Sequence, residues 1–315
     1  MSTAARFHHE ALFYRGDDSF IDGTADFVRE GLAGGEAVLV ALVPEKTALL
    51  RDALGNDAAK VPFLDMKEIG GNPARIIPEW QRFVDSSAAL GRPARGIGEP
   101  VWADRGADEI AECHVHEHLL NTAFDAGPGW RLRCPYDADA LSPAVVAEAE
   151  RSHPLLVVDD LLADSASYLA AGDDASGLLG PLPDHHPEAR LLRFDSETLP
   201  GVRLTLLVAA QAAGLSSGRT EELILAAHEA ATNSIRYGGG DGELRSWHDG
   251  TQFVCEIRDR GRITLPLAGR VMPDGEQEGG RGLWMINQLC DLVQLRSSQE
   301  GTSVRMYMRR HDRRT

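Results

Sequence analysis

Glu229 and Asn233 are two residues whose types and spacing could act together on a phosphorylated ligand. They lie four residues apart in Thr220–Tyr237, a stretch whose apolar residues recur at helical intervals, and residues four apart share one helix face. A carboxylate and a carboxamide placed in this way offer hard oxygen ligands for Mg²⁺ and a base for a hydroxyl group. A solvated helix face is the simpler explanation of such a pair, so the interpretation depends on neighbouring motifs.

Two glycine-containing turns follow this helix along the chain. Asp259 ends the predicted strand Phe253–Asp259. Its carboxylate could accept a hydrogen bond from the exocyclic amine of adenine, while Gly261 lets the backbone pass closely beneath the ring. The stretch Gly279–Ile286 leads straight into an apolar helix, where free backbone N–H groups can bind phosphate. Taken singly, these motifs would be an ordinary turn and a loop before a helix.

The order and spacing of these motifs resemble a known superfamily. HEAATNSIRYG, DRGRI and GRGLWMINQL are similar to the N, G1 and G2 boxes of the Bergerat-fold ATPases, which include gyrase and histidine kinases. Together with the closing GTSVRMYM, they resemble its anti-sigma factor and serine-kinase branch over about 120 residues. The resemblance implies an α+β Bergerat-fold (HATPase) sandwich that binds ATP and Mg²⁺.

The resemblance also implies a role for each matching residue. Glu229 would be catalytic, as the general base that takes a proton from a serine hydroxyl, and Asn233 would ligate Mg²⁺. The ATP contacts would come from Arg236 at the phosphates, Asp259 at adenine, Gly261 at the pocket floor, Gly280 and Gly282 with Arg281 between them around the phosphates, and Thr302 beside the adenine contact.

Ile263 departs from the pattern of this family, which usually has a second glycine at that position of the G1 box. A β-branched side chain there restricts the backbone and crowds the nucleotide. Weak ATP affinity or lost kinase activity is the resulting prediction. Phosphotransfer to an anti-anti-sigma factor and a catalytically inactive scaffold that only binds partners therefore both remain open.

The N-terminal half contains motifs of a second family. HHEALFY, FVREGLAGGEAVLVAL, GEPVW, CPYD and His153-Pro154 resemble the MEDS (DcmR-like sensory) family over about 160 residues. This resemblance implies a domain with a RecA-like sheet that senses a small-molecule effector. We expect its ligand site to have aromatic walls and a few polar groups that face one crevice, formed by His9, Tyr14, Glu99, Trp102, Cys134, Tyr136, Asp137 and His153.

Structural roles are the alternative for several of these residues. His9 and His153 would be core or capping histidines, Trp102 a core residue, and Asp137 the cap of a turn. Lys46 follows a buried strand in the layout of a phosphate-binding loop, but the glycines of such a loop are missing, which predicts a vestige.

Two further chemistries remain for this half. A metabolic enzyme using Cys134 or His153 has no nucleophile–base spacing to support it. A metal site is disfavoured because a spacing of two places helical neighbours on different faces, so that only His114 and His118 could share one. The histidines of that hypothesis are His9, His114, His116, His118 and His153.

Elements of two kinds must position these residues. In the N-terminal half, short apolar runs alternate with amphipathic stretches, which predicts an α/β domain with a mostly parallel sheet. Its predicted strands are Ala37–Val43, Val61–Leu64, Ile97–Val101, Trp130–Cys134 and Leu155–Val158, and its predicted helices include Phe20–Leu32 and Ile76–Leu90.

The C-terminal half has a different order, with two helices before most of its strands. An antiparallel sheet with helices on one face is the expected result. In its last strand, Val304, Met306 and Met308 share one face. The predicted helices are Pro200–Ala213, Thr220–Tyr237 and Leu283–Cys290, and the predicted strands are Glu243–His248, Phe253–Asp259, Leu292–Ser297 and Ser303–Arg309.

The segment between the halves is rich in Gly, Pro, Asp and Ser, which is typical of a linker. We therefore predict a sensory domain at 1–171, a linker at 172–189 and an HATPase domain at 190–315. A length of 315 residues suits two globular domains.

Composition limits the function classes. The net charge of −16 argues against direct nucleic-acid binding. No stretch is long and apolar enough for a membrane span and no signal peptide is evident, which predicts a cytoplasmic protein without a membrane partner. The four cysteines have no CxxC spacing and are expected to be free thiols.

The leading hypothesis is a signalling regulator in transcription control, in which an effector bound by the first domain controls an anti-sigma factor or serine/threonine kinase. The resemblance implies that its partners are a sigma factor, an anti-anti-sigma protein of the STAS type, or both. Members of that branch often dimerise, so a homodimer is a further expectation.

Overall fold

The computed structural model describes residues 6–158, 161–170, 180–183, 186–273 and 280–310. The chain divides into two compact units, Met1–Leu178 and Leu179–Thr315. This division falls inside the predicted linker 172–189, of which residues 172–179, 184 and 185 lie outside the described residues. Among the described helices, none is both long and apolar enough to cross a membrane.

In the part of the first unit that is described, seven strands form one sheet in the order β3-β2-β4-β5-β1-β6-β7. Neighbouring strands run parallel except for the antiparallel edge pair β6–β7, which confirms the predicted mostly parallel α/β sheet. The strands are β1 (His8–Tyr14), β2 (Ala37–Leu42), β3 (Phe63–Asp65), β4 (Ala94–Gly98), β5 (Trp130–Asp137), β6 (Leu155–Val158) and β7 (Leu161–Asp164).

Helices connect these strands. Proline occupies the first turn of the helices at Pro44–Leu54 and Pro143–Ser152, where its missing N–H removes no helical hydrogen bond. The hydroxyl of Ser142 caps the helix at Pro143–Ser152 by accepting a hydrogen bond from the Val145 backbone N–H at 3.4 Å. The helices are α1 (Gly16–Ala33), α2 (Pro44–Leu54), α3 (Met66–Ile69), α4 (Ile76–Ala89), α5 (Ala107–Ala123) and α6 (Pro143–Ser152).

Strand β1 is not among the predicted strands of this unit. His8, His9 and Glu10 interrupt its apolar character, yet Glu10 is completely buried. Arg131 and Arg133 of β5 donate to the Glu10 carboxylate at 2.7 and 2.9 Å. A buried charge is tolerated when it is paired, so the partners that allow Glu10 to lie on an interior strand of the sheet come from more than a hundred residues away.

Strand β4 also differs from expectation. It covers Ala94–Gly98 rather than the predicted Ile97–Val101. Pro100 has no N–H to donate to a neighbouring strand, so the strand ends before it. Glu99 therefore lies directly after the carboxyl end of β4, beside the ends of β2 and β5.

In the described part of the second unit, five antiparallel strands form a sheet in the order β11-β12-β10-β9-β8. Three helices contribute to a single core on one face of that sheet, which confirms the predicted α+β sandwich. The strands are β8 (Arg190–Asp195), β9 (Asp241–His248), β10 (Gln252–Asp259), β11 (Leu292–Ser298) and β12 (Gly301–Arg309), and the helices are α7 (Leu199–Ala212), α8 (Ser217–Tyr237) and α9 (Arg281–Leu289).

The last strand alternates as predicted. Val304, Met306 and Met308 face the helices in the main core. Tyr307, on the opposite face, is also buried because it packs with Val254 and other apolar residues in a small second cluster. The sequence pattern does not predict β8, since this edge strand is largely exposed and lacks a regular apolar face.

The buried Glu10 pair yields a stability prediction. Glu10→Ala leaves Arg133 without its carboxylate partner inside the protein, which costs about 3–5 kcal/mol of unfolding free energy. Urea denaturation of the full chain measures this loss. As a control, Asp26→Ala removes an exposed ion pair with Arg29 and should cost less than about 1 kcal/mol. Equal effects of the two substitutions would contradict the role assigned to Glu10.

Candidate functional site

A cavity of about 720 Å³ opens in the second unit beside α8 and the start of α9. Volumes of this order are usual for cofactor and small-molecule sites. Every residue expected to contact ATP or Mg²⁺ lines this cavity, namely Glu229, Asn233, Arg236, Asp259, Gly261, Gly280, Arg281, Gly282 and Thr302.

Helix α8 supplies the acidic and amide side chains. Its N-terminus is capped by the Ser216 hydroxyl, and its alanines are buried against the sheet. This packing leaves Glu229 and Asn233 half-buried on the cavity side, one turn apart, while Arg236 lies exposed at the rim. The i,i+4 spacing therefore places both side chains on the same cavity wall.

Asp259 is held in place from two directions. The Ser234 hydroxyl donates to Asp259 Oδ2 at 2.6 Å, and the Gly261 backbone N–H donates to Oδ1 at 2.7 Å. A Cβ atom at Gly238 would lie 2.4 Å from Asp259 Cγ, and one at Gly261 would lie 2.7 Å from the Tyr237 carbonyl oxygen. Only glycine permits this close approach of the turn to the end of α8.

A chain of hydrogen bonds ties the same turn to the last two strands. The Thr302 hydroxyl donates to the Gly261 carbonyl oxygen at 2.8 Å and lies 2.8 Å from the Ser297 hydroxyl. Because Thr302 uses its single proton towards Gly261, Ser297 donates to Thr302 and accepts from the Ile263 N–H at 2.8 Å. Ile263 has its backbone fixed in this way and its side chain borders the cavity.

The start of α9 forms the opposite end of the cavity. Gly280, the N-terminal cap, has a left-handed φ of 82°, a conformation that favours glycine. The first N–H groups of a helix have no partner within it and can bind an anion. A Cβ atom at Gly282 would lie 2.2 Å from Glu229 Oε1, so Glu229 lies beside this helix terminus. Gly279 lies outside the described residues.

Ser234, Gly238 and Ser297 belong to this site although spacing alone does not identify them. Ser234 is adjacent to Asn233 but points towards β10, whose position the helix sequence does not specify. Gly238 directly follows α8, and a glycine after a helix is a recognisable signal. Ser297 acts from a neighbouring strand and gives no signal in the sequence.

In the first unit, the expected sensory residues do not face one crevice. Side chains alternate along a strand, so His9 and Tyr14 on β1 point to opposite faces of the sheet. The structure correspondingly divides the set into two groups. His9, Cys134, Tyr136 and His153 surround Glu117 of α5, whereas Tyr14 contacts Glu99 on the other face.

Glu117 is the centre of the first group, which we call the Glu117 cluster (His9, Glu117, Cys134, Tyr136 and His153). Its Oε2 lies 3.0 Å from His9 Nε2 and 3.6 Å from His153 Nε2. Its Oε1 accepts from the Tyr136 hydroxyl at 3.0 Å. Neither Glu117 nor Asn121, which contacts His9, is among the expected residues. Both lie on the histidine-rich helix α5, and they are recognised as part of the cluster only from their contacts with His9 of β1.

Burial controls protonation in this cluster. It lowers the pKa of His9 and of His153 to about 3, so both imidazoles are neutral near pH 7. Burial also raises the pKa of Glu117 and raises the pKa of the Cys134 thiol well above its usual range. Of the five histidines in the metal hypothesis, His9 and His153 come together here, whereas His118 pairs with Glu148 at 2.9 Å.

The second group contains Tyr14 and Glu99. The Tyr14 hydroxyl donates to Glu99 Oε1 at 2.9 Å, and Lys46 lies 4.9 Å from the centre of the Tyr14 ring. Lys46 also pairs with Asp17 at 3.0 Å. Burial raises the pKa of Glu99 to about 8, so this carboxyl group is largely protonated at neutral pH.

Asp137 and Trp102 have structural contacts. The Asp137 carboxylate accepts from the backbone N–H groups of Asp139 and Ala140 at 3.1 Å each, which is the turn-capping role given above as its alternative. Trp102 is half-buried and stacks with Arg105, whose guanidinium lies 3.9 Å from the ring centre. These contacts connect Trp102 neither to the Glu117 cluster nor to the pair of Tyr14 and Glu99.

Comparisons with known proteins assign each unit to a family. Residues 8–154 match the family model of the MEthanogen/methylotroph, DcmR Sensory domain, MEDS. Residues 192–308 match the histidine kinase-like ATPase domain. The first unit therefore contains a MEDS domain and the second a histidine kinase-like ATPase domain, which implies nucleotide binding by the second.

Similarity to solved structures is partial, as one example shows. The crystal structure of the RsbU and RsbW domains of Rv1364c from Mycobacterium tuberculosis is 17% identical, with a TM-score of 0.29. The match covers 38% of this chain and 32% of that chain, so it spans about a third of that protein. No curated protein matches this chain.

The burial of Glu99 predicts a pH-dependent stability. Its pKa is about 8 in the folded chain and near 4.5 when solvated, so the folded state keeps a proton that the unfolded state releases between these values. The stabilisation is complete below about pH 4.5 and is lost as pH rises through 8, with a slope of up to about 1.4 kcal/mol per pH unit. Besides burial, the groups that act on the pKa of Glu99 are Tyr14 and Lys46, which lower it, and Asp137 and Glu45, which raise it.

Glu99→Gln tests this expectation, because glutamine can still accept from Tyr14 but cannot titrate. The difference in unfolding free energy between wild type and Glu99→Gln should fall steadily from pH 5 to 8, as measured by urea denaturation at several pH values. Glu45→Gln is the control, since the pKa of Glu45 is lowered rather than raised. A difference that is independent of pH would show that Glu99 is ionised in the folded chain.

Proposed function

We propose that this chain is a cytoplasmic anti-sigma regulator whose second unit binds Mg-ATP and phosphorylates a serine of an anti-anti-sigma protein. The observation that carries the proposal is the convergence of Glu229, Asn233, Asp259 and the start of α9 on one cavity, within a domain that matches the histidine kinase-like ATPase family. Adenine, phosphate and metal each need a different kind of group, and all are available there.

The adenine end of the cavity would be the Asp259–Gly261 turn. Asp259 accepts hydrogen bonds from Ser234 and Gly261, and a carboxylate has lone pairs for further donors such as the exocyclic amine of adenine. Thr302 supports this contact through the Gly261 carbonyl group. The acceptor is therefore held by the fold before a ligand arrives, which reduces the entropy lost on binding.

The phosphate end would lie between α8 and α9. The N–H groups that follow Gly280 can bind phosphate oxygens, and Arg281 and Arg236 supply positive charge at the rim. Asn233, one turn from Glu229, offers a carboxamide oxygen to Mg²⁺, which takes few protein ligands alongside phosphates and waters.

Phosphotransfer would use Glu229 as the general base. Its carboxylate accepts the proton of a serine hydroxyl, the serine oxygen forms a bond to the γ-phosphorus, and the bond from that phosphorus to the bridging oxygen of ADP breaks. The proximity of Glu229 Oε1 to Gly282 supports this role, because the carboxylate lies beside the first turn of α9.

Partners and control follow from the family resemblance. We propose a sigma factor or a STAS-type anti-anti-sigma protein as the partner, a small-molecule effector for the MEDS domain, and a homodimer as the working state. The net charge of −16 favours protein partners over direct contact with nucleic acid.

A partner-binding scaffold without phosphotransfer is the second candidate. The observation that favours it is Ile263, which lies where the family usually has glycine and whose side chain borders the cavity. The hydrogen bond from its N–H to Ser297 holds its backbone at the cavity wall, and a β-branched side chain there restricts the space for a bound nucleotide.

Asp259→Asn tests nucleotide binding. The substitution places a carboxamide where adenine needs an acceptor and removes the charge that strengthens the hydrogen bond, which should weaken ATP binding at least about tenfold. Isothermal titration calorimetry of the full chain with Mg-ATP measures the change. Asp241→Asn is the control, because Asp241 is exposed, pairs with Arg260 and does not line this cavity. Unchanged affinity in Asp259→Asn would remove the adenine assignment.

Glu229→Gln separates the two candidate functions. If the chain is a kinase, the variant should transfer phosphate from ATP to a purified STAS-type protein at least about 100-fold more slowly than wild type, with complex formation nearly unchanged. If wild type forms the complex but transfers no phosphate, the scaffold function stands. A wild-type chain that neither binds ATP nor forms a complex with sigma or STAS-type proteins would refute both.

A further inference from the structure

The Glu117 cluster contains four potential metal ligands that the proposed function does not use. They come from four places in the first unit: His9 from β1, Glu117 from α5, Cys134 from β5 and His153 from the residue after α6. One ligand atom of each lies within 4.8 Å of all the others. All four side chains are buried, with at most 1% exposure, so solvent does not compensate their polar atoms.

The hydrogen bonds of His9 determine which of its nitrogens carries the proton. The Asn121 side-chain amide donates to the Ser152 carbonyl oxygen at 2.7 Å, which orients its own oxygen towards His9 Nδ1 at 3.1 Å. An amide oxygen only accepts, so His9 carries its proton on Nδ1. The lone pair on His9 Nε2 therefore points at Glu117 Oε2, 3.0 Å away.

His153 has the same arrangement. Its Nδ1 lies 2.8 Å from the Ala149 carbonyl oxygen and therefore carries the proton. Its Nε2 lone pair faces the cluster and has no hydrogen-bond partner among the described residues. A protonated Glu117 can donate to only one of the two imidazoles. The Cys134 sulfur lies 3.5 Å from His9 Nε2 and offers it a weak donor. His153 Nε2, 3.6 Å from Glu117 Oε2, is therefore the atom left without a partner in the described part of the chain.

We propose that His9, Glu117, Cys134 and His153 bind a Zn²⁺ ion inside the first unit. A cation at the centre would accept both imidazole lone pairs, one Glu117 oxygen and the Cys134 sulfur, which gives the unsatisfied His153 Nε2 a partner. The proton of the Cys134 thiol, and that of Glu117 where it is protonated, would pass to solvent when the ion binds.

Geometry and charge both fit this ion. A tetrahedral Zn²⁺ with bonds of about 2.0–2.3 Å holds its ligand atoms roughly 3.3–3.8 Å apart. The ligand atoms are separated by 3.0 Å between His9 and Glu117 and by no more than 4.8 Å within the whole set, so side-chain shifts of about 1 Å or less bring them to this range. One thiolate and one carboxylate balance the two positive charges, and a mixed sulfur and nitrogen set favours zinc over magnesium or calcium.

The surroundings have the features of a metal site. Ligating histidines usually donate their other N–H to a carbonyl or amide oxygen, as His9 does to Asn121 and His153 to Ala149. The Tyr136 hydroxyl occupies Glu117 Oε1, which leaves Oε2 for the ion. With four protein ligands the coordination would be complete, so the ion would join β1, β5, α5 and the end of α6 rather than activate a substrate.

Metal titration of the full chain tests the proposal. The protein, purified without a polyhistidine tag and treated with a chelator, is titrated with Zn²⁺ or Co²⁺. We expect about one ion per chain at this site, and with Co²⁺ the near-ultraviolet charge-transfer band of a thiolate ligand together with the visible bands of tetrahedral cobalt. A folded wild-type chain that shows no thiolate band would overturn the proposal.

Two matched substitutions locate the site. Cys134→Ser should abolish the thiolate band and weaken metal binding about 100-fold or more. Cys113→Ser removes another buried thiol of the same unit, which contacts Arg105 and Pro100, and should leave both unchanged. An unchanged cobalt spectrum in Cys134→Ser would assign the metal elsewhere and contradict the proposal.

A second measurement decides the matter if Cys134→Ser does not fold. Binding to the native state alone raises the unfolding midpoint, so the chelator should lower the wild-type midpoint and Zn²⁺ should restore it. Asn121→Ala, which removes the acceptor of the His9 Nδ1–H and the hydrogen bond to the Ser152 carbonyl oxygen but no ligand atom, should reduce zinc affinity by about 10–100-fold. A wild-type midpoint that does not respond to Zn²⁺ would refute the site.

Discussion

The contact between the Asp259–Gly261 turn and the end of α8 is the interaction on which the candidate nucleotide site depends. Asp259 accepts from Ser234 and from the Gly261 N–H, and two glycines permit the backbones to approach. Through this contact the carboxylate expected at adenine is aligned with the helix that presents Glu229 and Asn233. The cavity is therefore preformed by backbone geometry.

The first unit is organised by a related constraint, that buried polar atoms need partners. Glu10 is paired with two arginines on one face of the sheet, while His9, the residue before it, faces Glu117 on the other. Successive residues of β1 thus serve two separate polar networks. One is an ion pair that stabilises the sheet, and the other is a compact set of nitrogen, sulfur and oxygen ligands.

Sequence periodicity predicts most of the fold because most helices and strands here have a regular apolar face. The elements of the second unit agree with the predicted ranges to within a few residues, apart from the exposed edge strand β8. Strand β1 is missed for the opposite reason. Its polar residues are buried, and they can be so only because Arg131 and Arg133 come from a strand that is distant in sequence.

The sequence by itself determined nine of the residues that line the candidate nucleotide cavity, because each motif lies within one element or one turn, where spacing sets the direction of side chains. Only the tertiary structure decided that the expected sensory residues divide between two faces of a sheet, and that Glu117 lies at the centre of one group. The physical reason is that these contacts join residues far apart in sequence. They depend on which face of a strand each side chain occupies and on how a helix packs against the sheet, and local spacing does not specify the packing partner.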